Sequence, residues 1–345
     1  MAPGKVAFLG SGETSLAGGR IFESLVRGLK EPLRIALMET PAGFELNSTQ
    51  VVSRVGEFMA SRLQNYRPVV DVVPARRKGS AFSPDDPEIL QPLLYANLIF
   101  MGPGSPTYAI RQLKDTLAWD LIRARHRLGA ALVFASAATI SVGAHALPVY
   151  EVYKVGQDMH VVDGLDFFRD FGLHLSFIPH WNNAEGGADL DTSRCFVGME
   201  RFAEWCRRVP IENTTVGLDE HTGLILDFAK GVCEVSGVSS VSLVRECNPE
   251  MYASGSTFDM KELGALEIPA PIEKDIPAQV WNMLGNAPPL ADLPSDEVVA
   301  LAEKRLAARA NRSWQESDQL RSEISALGWT VQDSKDGYKL VKNPL

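Results

Sequence analysis

A repeated alternation over the first two-thirds of the chain constrains its fold more than any other feature. Lys5–Leu9, Arg34–Met38, Val69–Val73, Leu98–Met101 and Ala130–Phe134 are short apolar runs that read as strands. Between them Ile21–Leu29, Asn47–Leu63, Pro87–Tyr95 and Thr107–Leu128 read as helices, the last broken near Trp119. Strands alternating with helices predict an α/β fold: a mostly parallel, doubly wound sheet with helices on both faces. From Leu175 the rhythm shortens. Leu175–Ile178, Thr215–Leu218, Leu224–Phe228, Cys233–Ser236 and Val241–Val244 are closely spaced strand-like runs. They predict an antiparallel extension at one sheet edge, with Val197–Arg208 as a further helix.

Three stretches follow from this pattern. Residues 1–268 form the α/β domain. Residues 269–294 hold six prolines, which fix φ and remove donors, so this stretch is expected to be a linker or surface strap. Residues 295–345 are expected to form a helical hairpin followed by a β-hairpin. Ser295 is a good N-cap before Asp296 and Glu297, and Gly328 a good C-terminal stop. Trp329–Val331 and Tyr338–Leu340 flank a turn-rich Asp333–Gly337.

Charge and cysteine usage narrow the function classes. The formal charge is -9, which argues against a broad nucleic-acid surface. Residues 295–345 hold 8 basic and 8 acidic residues, so the tail is neutral and the excess acid lies in the body. No apolar stretch reaches membrane-helix length, and Met1–Lys5 lacks the plan of a signal peptide. The four cysteines form neither CxxC nor a disulfide framework and read as buried thiols of a cytoplasmic protein. The six histidines show no HExxH and no ligand spacing with cysteine, so no metal site is expected. GxxxxGK[ST] is absent. Gly10-Ser11-Gly12 with Glu39 is only a partial dinucleotide fingerprint: the third glycine is missing and the acid lies 29 positions on. No cofactor is therefore expected.

In an open parallel sheet ligands bind beyond the carboxyl ends of the strands. Ser136 follows one such end and precedes a run of small residues, Ala137 and Ala138, as in a nucleophile elbow. Backbone N–H groups at the following helix start would face a developing oxyanion. Gly102-Pro103-Gly104-Ser105 offers unencumbered backbone for a substrate carbonyl, with Ser105 a candidate contact. His180 follows Pro179, which marks a strand end, and is a candidate base for Ser136. Glu220, in an acidic turn, is the first choice to orient the imidazole, with Asp158 and Glu151 as alternatives.

In their order, Gly10-Ser11-Gly12-Glu13, Gly102–Ser105, Ser136-Ala137, Pro179-His180 and Gly217–Thr222 resemble the aspartyl dipeptidase (dipeptidase E) and cyanophycinase family of serine peptidases over about residues 5–250. The resemblance implies a fold like that of class I glutamine amidotransferases and hydrolysis of a small peptide or amide. It implies Ser136 as nucleophile, His180 as base, Glu220 as orienting acid, and Gly104 and Ala137 as oxyanion donors. The chain departs from the family elbow, Gly-x-Ser-Ala-Gly, with Phe134 at the first position and Ala138 at the last. It also lacks arginines directly after the histidine, which argues against cyanophycin as substrate. Asn182, Asn183 and Glu185 stand there instead and suit a small polar or amine-bearing ligand.

The tail has its own resemblance. Ala302–Arg309, Trp314–Ala326 and Gly328–Asp333 are similar to the C-terminal domain of cysteinyl-tRNA synthetases over about residues 296–342. This implies a tRNA contact. Its neutral charge favours instead a hairpin used for packing or self-association, a homodimer included. A hydrolase-like scaffold acting as a tRNA- or protein-binding adaptor is the alternative function.

Overall fold

A computed structural model describes residues 2–29, 32–272, 275–289, 294–334 and 337–343. The chain divides into two compact units, Met1–Leu284 and Gly285–Leu345.

In the first unit, β1 (Val6–Leu9), α1 (Leu16–Val26), β2 (Arg34–Met38), α2 (Ser48–Arg62), β3 (Val69–Val73), α3 (Gln91–Tyr95), β4 (Leu98–Met101), α4 (Pro106–Leu113), α5 (Leu117–Arg127) and β5 (Ala131–Ala135) follow in turn. The break between α4 and α5 falls at Lys114–Thr116, where Thr116 caps α5 by accepting from Trp119 N–H. Then come α6 (Ala137–Ser141), β6 (His145–Ala146), α7 (Val149–Tyr153), β7 (Val162–Asp163), β8 (Leu175–Ile178) and α8 (Gly198–Arg208). A run of strands closes the unit: β9 (Thr214–Leu218), β10 (Thr222–Asp227), β11 (Val232–Gly237), β12 (Ser240–Arg245), β13 (Asn248–Ala253) and β14 (Thr257–Asp259), before α9 (Ala278–Gly285).

The main sheet has the order β14-β11-β10-β1-β5-β4-β2-β3. The five strands from β1 to β3 are mutually parallel, and β10, β11 and β14 extend the β1 edge antiparallel. Burial on both faces explains the unbroken apolar runs of β1 and β4. Alternate residues serve opposite cores. Ala7 and Leu9 join α1 and α2 on one side, while Val6 and Phe8 join the other cluster.

The expected antiparallel edge extension forms only in part, from β10 and β11 with β14. β8, β9, β12 and β13 make a separate four-stranded sheet, order β13-β12-β9-β8, in which β8 and β9 are parallel. An apolar run does not name its partner strand; packing does. Phe177 of β8 stacks on Phe8 of β1 at 4.0 Å between ring centroids, so β8 covers the main sheet's face rather than joining its edge. Phe134, Phe167, Phe168 and Phe171 complete this buried aromatic layer.

The proline-rich stretch is also not all linker. Ile276 and Val280 are buried in the first unit's core, and α9 forms once the prolines pause between Pro277 and Pro288. In the second unit α10 (Asp296–Ala310) and α11 (Trp314–Ala326) precede an antiparallel pair, β15 (Trp329–Ser334) and β16 (Gly337–Lys342). Val298, Ala302, Ile324, Trp329 and Val331 form its core. Buried Arg305 is paired with Asp333 at 2.7 Å. Lys335 and Asp336, in the expected hairpin turn, lie outside the described residues. No helix among the described residues is long and apolar enough to cross a membrane.

Candidate active site

Four strand ends build the site. Register sets Leu9 of β1 beside Ala135 of β5, so Gly10 and Ser136 emerge together. In the second sheet Ile178 of β8 lies beside Gly217 of β9, so Pro179-His180 and Asp219-Glu220 emerge together. The chain then crosses from β9 to β10, which pairs with β1. Glu220 thus sits on the crossover that ties the two sheets, and the Gly10 carbonyl accepts from His180 N–H at 3.1 Å. Gly10 has to lack a side chain, because a Cβ there would lie 2.1 Å from the Asp219 carbonyl.

Ser136 occupies a sharp turn with φ 51° and ψ -117°, a conformation that non-glycine residues seldom adopt. Its Oγ is 3.4 Å from Nε2 of His180. Nδ1 of His180 is 3.0 Å from Oε1 of Glu220. The same Oε1 accepts from Asn183 Nδ2 at 3.0 Å, and Glu220 N–H donates to Asn182 Oδ1 at 2.8 Å. Burial pushes the Glu220 carboxyl up. The hydrogen bonds from Asn183 and His180, with the charges of His180 and His221, outweigh it and hold the group below the usual carboxylate range. Asp219 anchors the crossover by accepting from the Ser239 and Ser240 hydroxyls at 2.6 and 2.7 Å.

A cavity of 290 Å³ opens over the serine. Gly104, Ser136, Ala137 and His180 line it, together with Tyr150, Tyr153, Lys154, Glu185 and Phe196. Neither the Gly104 nor the Ala137 N–H donates to an acceptor among the described residues. Gly104 has φ 144°, and a Cβ on it would lie 1.9 Å from the Pro41 carbonyl, so this loop requires glycine.

Some expected contacts have other duties. Ser105 does not line the cavity; its hydroxyl caps α4 by accepting from Tyr108 N–H at 3.2 Å. Asn182 and Asn183 hold Glu220 rather than face the cavity. Glu185 does line it. Of the alternative acids, Glu151 accepts from Thr107 at 2.6 Å and Asp158 is exposed. The wall contributed by α7 and by Phe196 has no counterpart in the sequence reading. Arg194, Cys195 and Phe196 all have positive φ, between 59 and 69°, and clamp the histidine segment. Arg194 N–H donates to the Trp181 carbonyl and Cys195 N–H to that of His180. Nothing in Arg-Cys-Phe announces three left-handed residues. Burial pushes the Cys195 thiol up to about 12, so it is no competing nucleophile.

Among solved structures, a peptidase from an acI-B1 actinobacterium superposes with a TM-score of 0.59 at 19% identity, over 75% of this chain and 97% of that one. The fold is similar to that of a peptidase. No family model matches the chain. Local sequence similarity points elsewhere. A cysteine–tRNA ligase of Opitutus terrae is 52% identical over 52 residues, 15% of this chain and 11% of the ligase. That of Pseudomonas fluorescens is 51% identical over 143 residues, 41% of this chain and 26% of the ligase. The chain thus spans only a small part of the ligases it matches.

Proposed function

We propose that the chain is a serine hydrolase cleaving a small peptide or amide through an acyl-enzyme. The observation that carries this reading is the continuous contact from the Ser136 hydroxyl through His180 to Glu220 at one cavity. Glu220 accepts from Nδ1–H, which leaves Nε2 as the base facing Ser136. As Ser136 Oγ bonds to the substrate carbonyl carbon, its proton passes to Nε2, and Glu220 stabilises the imidazolium. The unused N–H groups of Gly104 and Ala137 suit the oxyanion. The carbon–nitrogen bond then breaks, the amine leaving with the proton from Nε2. Water, deprotonated by the same nitrogen, releases the acid and restores Ser136. A cavity of 290 Å³ fits a substrate of dipeptide size, and Lys154 and Glu185 on its walls suit the two charged ends of one.

The test is turnover of a dipeptide panel, aspartyl-first members included, and of chromogenic amides. Ser136→Ala should abolish cleavage, and His180→Ala should lower it about 10²–10⁴-fold, both with native circular dichroism. Wild-type turnover in either folded variant would refute the reading.

The resemblance of residues 296–342 to the C-terminal domain of cysteinyl-tRNA synthetases supports a second reading for the C-terminal unit, a module for RNA or protein contact. Its equal numbers of acidic and basic residues suit few phosphate contacts. Mobility shift with total tRNA, for the full chain and for residues 1–294, tests it; no shift with either removes the RNA version.

A further inference from the structure

A second cavity, of 760 Å³, shares no wall residue with the one at Ser136. Lys114, His145, Asp163, Asp166, Arg169 and His174 contribute to its walls. Some charges there are already engaged: Arg123 pairs with Asp120, Asp170 and Asp275 at 3.1, 2.8 and 2.7 Å. Lys114, Asp163, Asp166 and Arg169 make no side-chain ion pair among the described residues. Two buried atoms on the wall, His145 Nδ1 and Asp166 Oδ1, find no hydrogen-bond partner within the described protein. Such atoms are few in folded proteins and call for an explanation.

Asp166 is rigidly presented. It has φ 50°, and its N–H donates to the Gly143 carbonyl at 3.0 Å. Its neighbours Leu165 and Phe167 donate to Ser141 and Val142 at 2.8 and 3.0 Å. A preformed wall therefore presents carboxylates and cations side by side: the charges of His174, Arg169 and His145 act on Asp166, yet none forms a close ion pair with it among the described residues. A plain anion would face Asp163 and Asp166, and a plain amine would face Arg169 and Lys114, like charge against like. A small zwitterion satisfies both signs with charge-assisted hydrogen bonds.

We propose that this cavity binds a free α-amino acid, its ammonium on Asp166 and its carboxylate on Arg169. The site stands whether or not Ser136 is a nucleophile. Titration calorimetry of the full chain with glycine, L-alanine, L-aspartate, L-lysine and inorganic phosphate tests it. At least one amino acid should bind saturably, with affinity unchanged in Ser136→Ala. Binding should weaken about tenfold or more in Asp166→Asn and in Arg169→Gln, the loss expected for one charge-assisted hydrogen bond. Asparagine tolerates the left-handed backbone, so the fold should survive the first substitution. A ligand-side test needs no variant: N-acetyl-L-alanine and L-alaninamide, each lacking one charge, should bind the wild type about tenfold more weakly than L-alanine. The proposal is overturned if no amino acid binds, if phosphate alone binds, or if both derivatives bind as L-alanine does. Loss of binding in Ser136→Ala would overturn it too, by placing the ligand in the other cavity.

Discussion

Ser136 carries a side chain where the backbone favours glycine, and this separates stability from activity in a measurable way. Ser136→Ala and Ser136→Gly both remove the hydroxyl, so both should lose hydrolysis. They differ in one Cβ at φ 51° and ψ -117°. Holding a non-glycine residue in such a region costs about 1–3 kcal/mol. Glycine returns about 0.5–1 kcal/mol of that through the flexibility it adds to the unfolded chain. The glycine variant should therefore be more stable than the alanine variant by about 0–2.5 kcal/mol, centred near about 1 kcal/mol, which is about 2 °C in melting temperature. Urea unfolding monitored by tryptophan fluorescence, with thermal scans of both variants, gives the difference. A more stable alanine variant would refute the idea that the turn is strained.

Other predictions follow from neighbouring features. Phe134→Ala should destabilise the first unit by about 3–5 kcal/mol, because the ring is buried against Phe8 and Phe167; a scan of the folded variant checks it. The depressed Glu220 carboxyl adds stability that is present above its unfolded pKa and lost as pH falls through its lower folded value, so Glu220→Gln should flatten stability against pH below about 4.3. Iodoacetamide at mild alkaline pH should modify exposed Cys247 and leave buried Cys195 intact, by mass spectrometry of the native protein.

The five parallel strands were legible within a residue or two because burial on both faces leaves near-continuous apolar runs in β1, β2, β4 and β5, and half-buried β3 at the edge keeps four valines around Asp71. The start of α1 was less so. Gly18 and Gly19 hide its first turn, which exists because Ser15 accepts from Gly18 N–H while the glycines let Glu13 and Arg62 approach. The division of the later strands into two sheets was not legible, since it depends on Phe177 meeting Phe8 across the layer. Phe134 shows how a motif departure can mislead. At the glycine position of the family elbow it looks obstructive, yet β-strand alternation points it into the aromatic core, away from the turn. Ser136, His180 and Glu220 could be singled out because each follows an apolar run, and the fold brings their side chains together. Asn182 and Asn183 were readable as polar but not as supports of Glu220, because their partner lies 37–38 positions away.

The most direct measurement is covalent trapping. A fluorophosphonate reacts with a serine only where a neighbouring base and oxyanion donors activate it. Intact-protein and peptide mass spectrometry should find one adduct, on Ser136, absent from Ser136→Ala and formed about 100-fold more slowly in His180→Ala. No adduct on the folded wild-type chain, an adduct on another residue, or an unchanged rate without His180 would contradict the account.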